Sequence, residues 1–250
     1  MLINACTAIA TYASSSHVEN EDAVGMLNLR MRHGGPDWVW VISDGMGGHR
    51  HGEQASRITV QTFLGRFLLS YFDSDKFLED WNQYLKTLIA DIDTDVYNFG
   101  FSGEAFHRDP HRSLMGATMT GALLLDNFLY LVHVGDTRCY LLRDNSLQQL
   151  TLDHVTENGE FLTQALGLGD PLLPSTTMIE IQERDMLIFL SDGVYKALER
   201  SEIRDIVVGG SNLEHSVERL VASASESPRF HDDATTILVS FDSALGEPER

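Results

Sequence analysis

The chain has 250 residues, 43% apolar, 9% aromatic and 22% charged, a composition that builds one large core or at most two small ones and excludes a disordered chain. With 37 acids against 18 bases, the formal net charge is -19. A field of that sign repels nucleic-acid phosphates and anionic membranes, so neither is expected as a partner; a phosphorylated protein segment stays admissible where metal ions supply local positive charge.

The N-terminal stretch MLINACTAIATYASSS has no basic region and no long apolar run, so it reads neither as a signal peptide nor as a membrane span. Cys6 and Cys139 each sit in a strand-like run and are expected as buried free thiols of a cytoplasmic protein. A short strand begins AVGML after Asn20-Glu21-Asp22, and the apolar run Val39–Ile42 predicts a second. Apolar positions at helical spacing predict helices over about Glu53–Ser70 (Ala55, Ile58, Thr62, Leu64, Phe67, Leu68) and about Lys76–Asn98 (Phe77, Trp81, Leu85, Leu88, Ile92, Val96).

Strand signals then come in close pairs. Ala117–Leu125 and Phe128–Val134 flank Asp126-Asn127, a two-residue connection of hairpin character. RCYLLR is followed by LQQL, MIEIQ by DMLIFLS, and ATTILVSF ends the folded part. Strands joined this closely must be antiparallel, since parallel neighbours need a long crossover. Short helices are expected at Phe161–Leu166, Ser201–Val208 and Leu213–Ser225. No linker or repeat divides the chain, so residues 1–242 read as one domain and 243–250 as a short polar tail. Antiparallel strands with helices grouped in sequence give an α+β layered fold.

The apolar strands share one oddity: they end or begin on acids. WVWVISD stops at Asp44, FLYLVHVGD at Asp136 and DMLIFLSD at Asp192; HDDATTILV starts at Asp232 and Asp233, and Glu21-Asp22 precedes another strand. One Asp-Gly is a turn. Five such ends at the rim of buried strands suggest carboxylates that converge, repel and need a cation. All-oxygen donors without a Cys or His pair at ligand spacing favour Mg²⁺ or Mn²⁺ over zinc. Two such ions ~3.5–4 Å apart activate water and stabilise a phosphoryl transition state. Gly45 would let its carbonyl approach a metal.

In order, NED, SDGMGGHRHGE, MGATMTGALL, VGDTRCYLLR, SDGVYKAL and DDATTILV resemble the metal-dependent serine/threonine protein phosphatases of type 2C in their bacterial form, over about Ala8 to Phe241. The resemblance implies a four-layer αββα sandwich, two central antiparallel sheets flanked by helices. It implies that Asp44 bridges two metal ions, with the Gly45 carbonyl on the first, and that Asp192 and Asp232 complete the second site. Glu21 and Asp22 would hold metal-bound waters, and Asp136 would join Asp192 at a weaker third ion. Thr137 and Arg138 would be structural. The catalytic set is then Asp44, Asp192 and Asp232. A metal-bridging hydroxide would attack phosphoserine or phosphothreonine in proteins, opposing a serine/threonine kinase, and the enzyme would be a monomer.

Three departures stand out. His17 occupies the place of the arginine that usually grips the substrate phosphate, so the phosphate contact falls to His17, or to the metals alone, His49 or Arg50. Met46 replaces a histidine that some relatives carry as a general acid, and Met transfers no proton; leaving-group protonation then falls to metal-bound water or to a nearby histidine such as His49, while His49 and His51 both read as solvent-exposed. The flap segment, Thr151–Thr177, is shorter than in bacterial relatives, which predicts a more open site. The competing readings are a pseudophosphatase or binding module on the same fold, and an unrelated Ca²⁺ binder, for which no ligand-rich loop is present.

Overall fold

Consecutive residues of one strand, Trp38–Asp44, enter two different cores: Val39 and Val41 pack one way, Trp38, Trp40 and Ile42 the other. A strand alternates its side chains, so an apolar run without polar gaps must be covered on both faces. The fold that does this here comes from a computed structural model describing residues 3–15, 19–29, 37–46, 51–72, 80–102, 115–159, 161–229 and 231–243.

Among the described residues, ten strands form two five-stranded antiparallel sheets. One has the order β1 (Ile3–Tyr12), β10 (Ala234–Ser243), β9 (Met186–Leu190), β6 (Arg138–Arg143), β7 (Ser146–Gln149). The other has β2 (Asp22–Asn28), β3 (Trp38–Asp44), β4 (Met119–Leu125), β5 (Phe128–Val134), β8 (Ser175–Glu180). Helices α1 (Gly52–Phe72) and α2 (Trp81–Ser102) cover the second sheet. The short α3 (Asp192–Tyr195), α4 (Arg200–Val208) and α5 (Leu213–Ser225) cover the first. The result is a four-layer αββα sandwich with three apolar layers.

The middle layer lies between the sheets, where Trp38 and Trp40 stack at 5.6 Å and Trp40 meets Phe241 edge-on at 6.3 Å. In β9, Leu187 and Phe189 face this layer while Ile188 and Leu190 face α4 and α5. Ala55, Val60, Phe63, Phe67 and Tyr71 of α1 and Leu85, Leu88, Ile89, Ile92 and Val96 of α2 build the outer layer on the second sheet. Burial of each large side chain contributes about 1.5–3 kcal/mol. The buried face of α1 is rotated from the expected one: Val60 and Phe63 are interior, whereas Ile58 and Leu64 are only half-buried.

Several expectations are corrected. MIEIQ and DMLIFLS do not pair: β8 bonds to β5 and β9 to β6 and β10, in different sheets. The chain crosses between sheets there, held by buried Asp185, which takes Arg143 Nε at 2.8 Å and Nη2 at 2.5 Å and the Gln182 amide at 2.7 Å. Phe161–Leu166 is not helical. Its backbone is used elsewhere, with Leu162 bridging Val155 and Leu166 bridging Ala117. Cys6 is exposed, because it lies on the edge strand β1, while Cys139 is buried; both are free thiols. Asp126-Asn127 turns the β4–β5 hairpin as expected, with Asp126 at φ 55°. The last strand runs to Ser243, and residues 244–250 lie outside the described residues, as do 73–79 before α2.

Candidate active site

The antiparallel register sets the first pair of acids. Asp22 opens β2 and Asp44 closes β3, and the ladder places them directly opposite each other. Like charges across a ladder repel. Asp192 arrives from the other sheet, at the end of β9 and the start of α3. Ser191 stands at the N-cap of α3 but makes no cap bond; its hydroxyl donates to Asp22 Oδ2 at 2.8 Å and accepts the Thr235 amide at 2.9 Å. That one side chain fastens the two sheet ends together.

Burial first, then the charges of Asp192, Asp22, Asp136 and Asp232, holds the Asp44 carboxyl well above the usual carboxylate range. Asp22 is raised for the same leading reason, against the opposing hydrogen bonds of Thr235 and Ser191. Asp192 is raised by burial, with the charge of Asp232 adding, although Lys196 pulls it down. So Asp22, Asp136, Asp192 and Asp232 all lie within electrostatic reach of Asp44. Asp22 Oδ1 is buried without a hydrogen-bond partner.

Two close approaches make this possible. A Cβ on Gly45 would lie 2.1 Å from the Gly52 carbonyl oxygen at the start of α1, so only glycine lets β3 meet that helix. A Cβ on Gly193 would lie 2.0 Å from the Asp233 carbonyl oxygen, so Gly193 lets α3 reach the start of β10. Glu21 is set by its backbone: its carbonyl accepts the Gly45 amide at 2.9 Å and its amide donates to Asp233 Oδ2 at 2.7 Å.

Asp136 lies in the turn between β5 and β6. The Tyr195 hydroxyl donates to its Oδ2 at 2.9 Å, and Lys196 Nζ lies 3.7 Å from the same atom. Burial pushes the Asp136 carboxyl up, with Asp192 adding and Lys196 opposing. Thr137 and Arg138 are framework residues: Thr137 Oγ1 is 2.8 Å from Thr120 Oγ1, and Arg138 binds Asp153 at 2.7 Å while lying over the Tyr195 ring at 3.6 Å.

Three residues given no role by the sequence, and Asp233, singled out there only as one of the strand-end acids, also shape the site. Asp233 accepts the Ser14 amide at 2.7 Å besides that of Glu21. Ser191 and Lys196 hold Asp22 and Asp192. His154 donates its amide to the Gly135 carbonyl at 2.7 Å, accepts the Gly135 amide on Nδ1 at 3.2 Å and meets Ser175 Oγ at 2.9 Å through Nε2, tying both ends of the flap to the Asp136 turn. A polar residue beside a strand-end acid was the available signal only for Ser191 and Asp233.

His17, His49 and Arg50, the alternatives for the phosphate contact, lie outside the described residues, as do Gly47 and Gly48. His51 is exposed and lies 3.7 Å from Glu53. The Met46 amide donates to the Gly116 carbonyl at 2.9 Å, which fixes that loop beside Ala117. No helix among the described residues is long and apolar enough to cross a membrane.

The donor set is all oxygen, suited to hard divalent ions. Among the described residues, no three Asp, Glu, His or Cys side chains are drawn onto a single metal-binding point. Several of the oxygens face Ser191, Tyr195 and Lys196 instead. The fit therefore rests on donor chemistry and on the unpartnered Asp22 oxygen.

A family model described as protein phosphatase 2C matches residues 11–232. Protein phosphatase PhpP of Streptococcus pneumoniae serotype 2 is 26% identical, over 93% of this chain and 96% of its own length. Serine/threonine phosphatase stp of Listeria welshimeri is 27% identical, over 80% and 83%. The crystal structure of the catalytic domain of serine/threonine protein phosphatase PstP, in complex with two manganese ions, superposes with a TM-score of 0.73 at 25% identity, covering 96% of this chain and 100% of that one. The chain belongs to the protein phosphatase 2C family.

Proposed function

We propose that this chain hydrolyses phosphoserine and phosphothreonine in proteins with two divalent cations, Mn²⁺ or Mg²⁺. The observation that carries the reading is the meeting of Asp22, Asp44, Asp136, Asp192 and Asp232 at the facing ends of two sheets, where burial and mutual charge raise Asp44. Bound there, two such ions supply a strong nucleophile from water at neutral pH and offset the charge of the transferring phosphoryl group. Asp44, Asp192 and Asp232 would hold the ions as carboxylates, with the Gly45 carbonyl as a further donor. Glu21 and Asp22 would take the outer positions. Ser191 holds the Asp22 side chain and Asp233 the Glu21 backbone, and the apolar layer behind β3 and β9 limits the water that screens the site.

His17 is assigned the substrate phosphate. Residues 1–242 act as one catalytic domain with a flap at 151–177. The substrates are phosphorylated proteins, a serine/threonine kinase or its targets among them, met by a monomer in the cytoplasm. The relatives named as serine/threonine phosphatases support this substrate class.

Phosphate release from phosphothreonine, phosphoserine and phosphotyrosine peptides, after EDTA treatment and with Mn²⁺ restored, tests the reading. Mn²⁺-dependent release from the first two is expected. Failure of Mn²⁺ to promote release from any peptide would favour the pseudophosphatase reading.

A further inference from the structure

One ammonium lies against two of the site's carboxylates. Lys196 Nζ is 2.7 Å from Asp192 Oδ2 and 3.7 Å from Asp136 Oδ2. The placement follows from the sequence. Asp192 opens α3 and Lys196 follows four residues on, one helical turn later, with the acid on the N-terminal side that favours the pair. The turn is closed by the Lys196 amide, which donates to the Asp192 carbonyl at 2.9 Å.

The partner carboxylate is fixed independently. Tyr195 donates its hydroxyl to the same Asp136 oxygen at 2.9 Å. The Tyr195 ring is clamped under the Arg138 guanidinium at 3.6 Å, and Arg138 is itself paired with Asp153 at 2.7 Å. Asp136 Oδ2 thus faces a hydroxyl donor and a cation at once.

We infer that Lys196 is the resident cation of the Asp136–Asp192 corner, so that this chain takes up two divalent ions and not three, and Asp136 serves the site through Lys196 instead of ligating metal. The inference rests on the two-ion reading above. A hard divalent ion binds carboxylate oxygen at about 2.1 Å, so an ion on Asp192 Oδ2 lies within about 5 Å of Nζ whatever its direction. Two positive charges would share that space, and an ion on Asp136 Oδ2 would have to displace the Tyr195 hydroxyl. Lys196 is a positioning residue: it holds one Asp192 oxygen and so orients the carboxylate toward the core pair of sites.

Calorimetric titration of the full chain with Mn²⁺ tests this. The wild-type chain should saturate at two equivalents. Lys196→Met should gain a third, weaker equivalent, which Lys196→Met/Asp136→Asn should lose again, and Lys196→Arg should return to two. Where Lys196→Met does not fold, Asp136→Asn alone decides: it keeps two equivalents if Lys196 is the cation and loses one if Asp136 is a ligand. Three equivalents in the wild type, or two in Lys196→Met, would overturn the inference while leaving the phosphatase reading intact. Uptake of no Mn²⁺ by the wild type would instead remove the two-ion reading and the inference with it.

Discussion

Asp22 and Asp44 stand directly across from each other where β2 and β3 end, and the hydroxyl of Ser191 from the opposite sheet donates to one of them. A fold gains nothing in stability from two facing carboxylates, which cost folding energy unless a proton or a cation separates them. Their placement is therefore a mark of function.

This cost gives a pH prediction. Burial and neighbouring charge raise Asp22, Asp44, Asp136 and Asp192 above the ordinary 3.8. Each then binds its proton more tightly folded than unfolded, so its contribution to stability is full below 3.8 and is lost as pH rises through the raised value. A tenfold tighter hold on one proton corresponds to about 1.4 kcal/mol, roughly 3–6 °C of Tm in a chain of this size. In EDTA, Tm should fall as pH rises above 3.8 toward neutrality, and Asp22→Asn/Asp44→Asn should melt higher than wild type at the upper end of that range. Saturating Mn²⁺ should reverse that order. A double variant that melts below wild type in EDTA at the upper pH would contradict the argument.

Asp233 carries the second prediction. Its two oxygens accept the Ser14 and Glu21 amides, each at 2.7 Å. Asp233→Ala strands both donors and should cost about 2–4 kcal/mol in denaturant unfolding. Asp233→Asn keeps one acceptor and should lose about half as much. Because Glu21 also receives the Gly45 amide, Mn²⁺ affinity should fall in the same order. Equal stability of Asp233→Ala and wild type would show that these bonds do not position the site.

Much of this was legible from local pattern. Val39–Ile42, Phe128–Val134 and Arg138–Arg143 announce strands because runs of apolar residues at those lengths fit only a doubly covered sheet, and Leu213–Ser225 announces a helix through its spacing. The strand-end aspartates were visible for the same reason: an acid breaks an apolar run. Which sheet a strand joins was not. The crossing between β8 and β9 depends on Asp185 meeting Arg143 from 42 residues away, and nothing near Ile181 encodes it. Phe161–Leu166 has a helical spacing, but Leu166 exchanges both backbone bonds with Ala117, a contact set by where β3 ends. Lys196 and Tyr195 looked like ordinary helix residues, since their partner Asp136 lies 59 residues from Tyr195.

The most direct test of the whole account is p-nitrophenyl phosphate turnover by the EDTA-treated chain before and after Mn²⁺ is restored, for wild type and Asp44→Asn. Wild type should be silent in EDTA and recover with Mn²⁺. Asp44→Asn should stay at least about 100-fold lower at every Mn²⁺ concentration, the scale of loss expected when a central electrostatic stabiliser is removed. Turnover in EDTA, or an Asp44→Asn chain that recovers with Mn²⁺ as fully as wild type, would contradict the account.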